Sequence, residues 1–174
     1  RFAVEFAPVD SKPGFRGDGA DDVRFLMSAN AGEELGRISR IASGGELSRI
    51  MLALKNVFAE HDSVQTMVFD EIDTGVSGIS AQRVAEKLYT VSQNRQVMCV
   101  THLPQIAAMA DSQYLVSKDE KEGRTYTQIT LLDEEGRKKE IARLYGGDHI
   151  TQTTLAAAAE QLLADNTFKR GVKS

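Results

Sequence analysis

The sequence predicts an α/β fold in which a mainly parallel sheet is flanked by helices and bordered by antiparallel edge strands. The first observation is a strand, helix, strand order: the apolar run Met67–Phe69, a helical repeat that begins near residue 78, and the apolar run Val97–Val100. Such a crossover makes the two strands parallel and brings both carboxyl ends to one edge of the sheet. The second observation is an alternation of apolar and polar residues near the N-terminus, which is typical of half-buried antiparallel strands.

Length and composition predict one compact domain. The chain has 174 residues, of which 41% are hydrophobic, enough for a substantial core. Its formal net charge of −4 gives no overall basic field, so a DNA contact would be local or supplied by another part of the protein. The single cysteine, Cys99, excludes an internal disulfide and is predicted to be buried and inert. No apolar run approaches the roughly 20 residues of a membrane span, and Arg1 already lies in a predicted strand, so we expect a fragment of a longer cytoplasmic protein.

The N-terminal segment is predicted to form two antiparallel strands, at residues 1–6 and 22–27, joined by an exposed loop rich in proline and glycine. Each strand places its apolar residues on one side: Phe2, Val4 and Phe6 in the first, and Val23, Phe25 and Met27 in the second. Residues 28–42 show poor periodicity, and we assign no element to them.

The clearest helix begins at Ser43-Gly44-Gly45-Glu46. The apolar residues that follow have the spacing of one helix face: Leu47, Ile50, Met51, Leu54, Val57 and Phe58. Ser43 and Glu46 are explained by a capping box. The two glycines are not, because they are poor helix formers and indicate that something approaches the backbone closely. The free amides of a helix N-terminus also form an anion site, and phosphate is the usual anion.

The acid pair Asp70-Glu71 directly follows the central apolar run. Ligand sites of α/β proteins lie at the carboxyl edge of the sheet. Because adjacent side chains of a strand point to opposite faces, we expect a division of roles between metal binding and water activation. The alternative is a strand that ends in a solvated acidic turn.

His102 follows the second parallel strand, so it should lie near the acid pair at the same sheet edge. An isolated histidine at a strand end is ordinarily a polar surface residue. Here it is the third member of a set that also contains the acid pair and the Gly-Gly helix start.

The C-terminal part is predicted to contain a short helix, a hairpin and two further helices. Pro104 begins the short helix, which runs over 105–110. Strands at 114–116 and 126–132 form the hairpin, with a charged tip. The last two helices are marked by apolar residues at 141–145 and 155–162, and the tail from Asp165 to the end is expected to be flexible.

Together these groups supply part of a phosphoryl-transfer site. Such a site needs Mg²⁺ held by a carboxylate, a group that orients the attacking water, and donors for the γ-phosphate charge. The phosphate-cradling loop G-x-x-x-x-G-K-[ST] is absent, since no glycine in the chain is directly followed by lysine. The sequence therefore predicts half of a nucleotide site.

The motifs resemble those of ABC-type ATPases. Ser43-Gly44-Gly45-Glu46 is similar to their signature motif, Met67–Glu71 to their Walker B strand, Asp73 to their D-loop aspartate and His102 to their switch histidine. The longer strings at 41–49, 69–78 and 101–107 resemble the RecN family, SMC-like ATPases of bacterial DNA double-strand-break repair. This resemblance covers residues 32–163 and implies the C-terminal lobe of an ABC/SMC-type ATPase head.

The resemblance also implies roles, cofactors and partners. Asp70 would coordinate Mg²⁺ through water, Glu71 would activate the attacking water, and His102 would contact the γ-phosphate of ATP. The signature residues, with Asp73 at the shared interface, would close over ATP held by a second head in a homodimer. The Walker A half of the same head and a coiled coil would lie outside this chain, and the full-length protein would bind DNA in the nucleoid.

Two alternatives remain open. The nucleotide-binding domain of an ABC transporter has the same motifs, but those domains usually continue after the glutamate with Pro or Ala, whereas Ile72-Asp73 follows here. A non-enzymatic dimerisation or docking module is the other alternative, and the presence of both adjacent acids argues against it. A Walker A loop followed by a long heptad repeat upstream in the parent protein would favour the ATPase.

Overall fold

The computed structural model describes residues 1–9, 16–28, 32, 34–38, 43–58, 63–121 and 123–172. Where the sequence predicts a single domain, the chain divides into two compact units, Arg1–Ser43 and Gly44–Ser174. Part of the predicted N-terminal loop, at residues 10–15, lies outside the described residues, as do residues 39–42 and the last two of the predicted tail.

The first unit is an antiparallel sheet in the order β1 (Phe2–Pro8), β2 (Asp21–Met27) and β3 (Gly36–Arg37). The two long strands confirm the predicted alternation, and Val4 pairs with Phe25. The strand β3 was not predicted, because two residues are too few to show a period. The apolar face is exposed rather than half-buried: Phe2 is 62% and Phe6 66% exposed.

The second unit holds the predicted crossover and most of the helices. Its elements are α1 (Gly44–Val57), β4 (Thr66–Phe69), α2 (Gly78–Ser92), β5 (Gln96–Cys99), α3 (Pro104–Met109), β6 (Tyr114–Lys121), β7 (Arg124–Leu131), α4 (Glu134–Gly146) and α5 (Gln152–Val172). The strands β4 and β5 pair in parallel, with Met67 opposite Val97, and β6 pairs with β7 as an antiparallel hairpin. The parallel pair confirms the crossover on which the site prediction depends.

The central strand β4 is buried on one face only. Met67 and Phe69 are buried, whereas Val68 between them is 66% exposed. The buried side packs in a core with Leu52 of α1 and with Leu88 of α2. The Val68 side is uncovered in the described part of the chain.

The helix α5 continues to Val172, whereas the sequence predicts a flexible tail from Asp165 onward. Asp165 is 1% exposed and accepts hydrogen bonds from Gln82 and Gln161. Burial raises the pKa of the Asp165 carboxyl group, and its amide partners only partly offset this effect. Further on, Nζ of Lys169 lies 2.8 Å from an Asp111 carboxylate oxygen. These tertiary contacts hold the last turns of the helix.

Cys99 in β5 is partly buried. Burial, followed by the negative charges of Asp73 and Asp70, raises the pKa of its thiol to about 12. The thiol is therefore protonated at neutral pH and has little nucleophilic character. None of the helices in the described ranges is long and apolar enough to cross a membrane.

Candidate functional site

The parallel strands β4 and β5 end side by side. Phe69 pairs with Cys99, and the Val100 amide donates to the Phe69 carbonyl at 2.9 Å. The acid pair that follows β4 and the Thr101-His102 pair that follows β5 therefore leave the sheet at one edge. The crossover topology produces this arrangement, because it places both carboxyl ends on the same side.

Asp70 and Glu71 lie in a turn after the strand, not in the strand itself. Glu71 has a φ of 57°, in the left-handed region that non-glycine residues rarely adopt. The Glu71 amide donates to Oδ1 of Asp70 at 2.9 Å, and the Thr74 amide donates to the Glu71 carbonyl at 3.0 Å. Both exposed carboxylates therefore lie beyond the strand, and the expectation that strand pleating separates them is wrong. Strain at such a position is common at functional sites.

The start of α1 is fitted against this turn. A Cβ atom on Gly44 would lie 2.5 Å from Oε2 of Glu71, and one on Gly45 would lie 2.8 Å from the Glu71 carbonyl oxygen. Thr74 also approaches, with its Cβ 2.9 Å from the same added atom on Gly45. The sequence predicts that something approaches the backbone at Gly44 and Gly45. In the structure it is the turn at Glu71 and Thr74 of the same chain. At Gly45 the neighbours are mainly backbone atoms, so only glycine leaves the necessary space there.

Two side chains of α1 tie the helix to the turn. Ser48 donates from Oγ to the Asp70 carbonyl at 3.0 Å. Arg49 donates from Nη1 to the carbonyls of Ile72 and Thr74, at 3.1 and 2.8 Å. Sequence reasoning missed both residues, because a serine and an arginine in the second turn of an amphipathic helix look like ordinary solvent-facing positions. Their partners are backbone carbonyls more than twenty positions away, which leave no local signal.

Asp73 lies at the junction of the two strand ends. Its side chain is 4% exposed, and its Oδ2 atom accepts from Thr101 Oγ1 at 2.6 Å and from the His102 amide at 2.9 Å. Oδ2 also lies 3.0 Å from Nδ1 of His102, whose side chain is 73% exposed. Burial raises the pKa of Asp73, but the bonds from Thr101 and His102 outweigh it and hold that pKa below its ordinary value. The carboxylate is ionised at neutral pH.

The described residues contain no group of three or more His, Cys, Asp or Glu side chains that could hold a metal ion. The carboxylate of Asp70 is exposed at the sheet edge, with Oδ1 engaged by the Glu71 amide. Mg²⁺ is usually held by one or two carboxylates together with substrate phosphates and water, rather than by an all-protein cage. A single carboxylate here fits a metal that arrives with a nucleotide.

Ser43 and Glu46 flank the glycines. Ser43 is exposed and directly precedes α1, and Glu46 lies in the first turn of that helix. Both the capping box and the phosphate site therefore stay predictions for these two residues.

Replacing Gly45 by alanine should destabilise the second unit, because the added methyl group would meet the Glu71 carbonyl and Thr74. Overpacking costs about 1–3 kcal/mol, whereas the gain in helix propensity is at most about 1 kcal/mol. Urea unfolding monitored by circular dichroism measures the difference. The matched control is Gly171→Ala, also in a helix, whose added methyl group meets no described residue within 4 Å beyond its own helix. Equal stability of the two variants would contradict the close fit of α1 against the turn.

Comparison with known proteins finds relatives by sequence and similar folds among solved structures. No protein-family model matches the chain. It is 47% identical over 162 residues to the DNA repair protein RecN of Halalkalibacterium halodurans, a match that covers 92% of this chain and 29% of that protein. It is 49% identical over 144 residues to the DNA repair protein RecN of Bacillus subtilis, which covers 83% of this chain and 25% of that protein. The chain thus spans little more than a quarter of the curated relatives that it matches.

Among solved structures, the chain resembles one from work on ATP-driven dimerisation and DNA-stimulated activation of SMC ATPases. The TM-score is 0.51 at 19% identity, and the match covers 85% of this chain and 84% of the other. At this identity the likeness concerns the fold, which is that of an SMC-type head.

Proposed function

The chain belongs to the RecN family of DNA repair proteins, and from this premise we propose that it is the signature and Walker B half of an ATP-hydrolysing head. The observation that carries the proposal is that Asp70 and Glu71 follow one strand end and His102 follows the paired strand end at the same sheet edge, with the start of α1 against the Glu71 turn. Phosphoryl transfer requires these types of group together. The named relatives favour a DNA repair ATPase over the nucleotide-binding domain of a transporter.

Each residue at the edge has a separate role in the proposal. The Asp70 carboxylate holds Mg²⁺ through water, and the bound metal would neutralise charge on the phosphates of ATP. Glu71 orients the attacking water and accepts its proton. His102 contacts the γ-phosphate through its exposed ring. Ser48 and Arg49 keep the acid-bearing turn against α1, so they support Glu71 without contacting the nucleotide.

The signature residues act on a second head in this proposal. Ser43, Gly44, Gly45 and Glu46 close over ATP that is held by the partner of a homodimer, with Asp73 near that interface. The description of the SMC structure as one of ATP-driven dimerisation supports this arrangement. The accessible part of the motif is Ser43 and Gly44, because Gly45 is packed on the turn of its own chain.

The exposed apolar face of the β4–β5 sheet supports the proposal that another half of the head packs against it. On β4, Val68 is 66% exposed. On β5, Met98 is 55% exposed, and Val100, directly after that strand, is 62% exposed. A two-stranded parallel sheet with an uncovered apolar face is unusual, because parallel sheets are normally covered on both sides. We assign this face to the Walker A half of the same head. In this proposal, DNA is bound by the full-length protein, which acts at the nucleoid in the cytoplasm.

The isolated chain should hydrolyse ATP negligibly, because the phosphates and Mg²⁺ lose most of their ligands without a Walker A loop. Phosphate release is measured for this chain alone and for the chain combined with the N-terminal half of the same head. Turnover should appear only in the combination. Robust hydrolysis by the isolated chain would contradict the half-site, and an inactive combination that forms a stable complex would contradict the ATPase.

A further inference from the structure

We propose that Asp73 is a positioning residue for His102, holding the imidazole ring in one orientation and one hydrogen-bonding state. This inference rests on the proposed function, in which His102 meets the γ-phosphate, and it gives Asp73, beside its place near the proposed interface, a role that is exercised through that histidine.

The first argument is the number of donors that meet at one oxygen. Oδ2 of Asp73 faces the Thr101 hydroxyl at 2.6 Å, the His102 amide at 2.9 Å and Nδ1 of His102 at 3.0 Å. An ionised carboxylate accepts only, and its bonds are charge-assisted. An amide in the same place would bring a neutral oxygen, or its own NH₂ group, to the Thr101 hydroxyl and the His102 amide, with the imidazole nitrogen 3.0 Å away. The site therefore favours aspartate over asparagine, although the two have the same size.

The second argument is the contrast in burial between the two partners. The Asp73 side chain is 4% exposed, whereas that of His102 is 73% exposed. A ring so exposed has little packing to restrict its rotation. Nδ1 lies 3.0 Å from Oδ2 of Asp73, so the buried carboxylate restricts the ring from that side, and Nε2 is the nitrogen available to a ligand.

The third argument is the chemistry of the free nitrogen. In a neutral imidazole, donation from Nδ1 leaves Nε2 as an acceptor. A ring that donates from Nδ1 to Asp73 and from Nε2 to a phosphate oxygen carries both protons and a positive charge. The buried carboxylate lies beside that charge and compensates it. Asp73 thus matches His102 to an anionic ligand.

Thr101 completes the arrangement. Its hydroxyl donates to Asp73, and its Oγ1 also accepts from the Leu103 amide at 3.1 Å. The threonine therefore holds the carboxylate from the strand side, between β5 and α3. Because Asp73 also belongs to the turn that carries Glu71, its removal could disturb both groups, and a test must separate the two effects.

The first measurement follows the contact itself and needs no ATP. The full 174-residue chain contains three histidines, so ¹⁵N-histidine labelling gives few signals. In the wild-type chain the His102 ring should show a protonated Nδ1, and Asp73→Asn should give the averaged signals of a free imidazole. The control is Asp111→Asn, the same change at an exposed ion pair, which should leave the His102 signals unchanged. A wild-type ring that already behaves as a free imidazole would overturn the proposal.

The second measurement is a double-mutant cycle in the longer protein. Asp73→Asn should lower kcat by about 10- to 100-fold, as expected for a residue that orients a functional histidine, with little change in KM. The melting temperature should also fall, because the buried amide does not suit the two donors, so kcat is measured well below it. Adding Asp73→Asn to His102→Ala should lower kcat no further, because the partner of Asp73 is already gone. Additive losses, or a fall in the melting temperature that accounts for the loss, would overturn a role through His102. If His102→Ala alone retains full turnover, the assigned role of His102 fails and the positioning role fails with it, whatever the ring signals show.

Discussion

Glu71→Gln in the longer protein should lower ATP turnover by a factor on the order of 10² to 10⁴, the usual contribution of a positioned general base, while ATP binding stays close to wild type. Glutamine keeps the size of the side chain, so its fit beside Gly44 is preserved. It also keeps hydrogen-bonding capacity for the water. What it loses is the ability to take a proton. Heads that bind ATP but do not hydrolyse it should accumulate as head-to-head dimers.

Asp70→Asn is the matched variant for this experiment. Asparagine can still accept the hydrogen bond from the Glu71 amide through Oδ1, so the turn keeps its internal contact. The change removes the charge that Mg²⁺ coordination needs, and it should weaken nucleotide binding and turnover together. Titration with a fluorescent nucleotide and a phosphate-release assay separate the two variants. Equal defects in affinity and turnover would show that the division of roles between the two acids is wrong.

The position of the site follows from sequence patterns, but its internal geometry does not. Two apolar runs joined by a helix are sufficient to place the acid pair and His102 at one edge, since the crossover is a strong topological rule. The left-handed backbone of Glu71 has no such signal, because local preference disfavours it. The hydrogen bonds to Asp73 come from donors 28 and 29 positions away, so they leave no signal in the local sequence.

The C-terminal helix shows the same limit. The residues from Asp165 onward are polar and charged, which predicts a frayed end when they are considered alone. Asp165 is instead buried against Gln82 of α2, a contact between positions 83 residues apart. The periodicity of apolar residues predicts which face of a helix is buried, and local residue preferences predict where a helix begins and ends. Neither detects a polar side chain whose partner lies on another helix.

Two explanations apply to Gly44 and Gly45. The structure shows packing against the turn of the same chain, and the proposed function adds a contact with a partner's nucleotide. The turn at Glu71 and Thr74 accounts for Gly45 without any ligand, because backbone atoms of the turn occupy the space of a side chain there. At Gly44 the neighbouring atoms belong to the end of the Glu71 side chain, which can move. An additional role toward a partner's nucleotide must therefore be tested at Ser43, which is exposed and directly precedes the helix. The apolar face of α1 is anchored at the buried residue Leu52, so the helix is held from its middle.

Ser43→Arg should abolish ATP-driven dimerisation and hydrolysis by the longer protein, while ATP binding to the monomeric head stays nearly unchanged. The bulky cation would fill the helix start where the phosphate of a partner's nucleotide is expected. The control is Ser43→Ala, which removes a possible cap at a cost of about 1 kcal/mol but leaves the space open. If only capping matters, the two variants should lose similar stability and both should still dimerise. Nucleotide titration, sedimentation with ATP and thermal melting distinguish these outcomes.

Mixing experiments provide the sharper test of a role in trans. A protein with Ser43→Arg is combined with one that lacks its Walker A lysine, so that each heterodimer contains one intact composite site. In that site, Glu71 and the Walker A loop come from one head and the signature residues from the other. Partial ATPase activity should therefore return, although each variant is inactive alone. If the mixture stays inactive while heterodimers demonstrably form, or if Ser43→Arg loses nucleotide as a monomer, the signature motif does not act in trans and the helix start serves only the turn of its own chain.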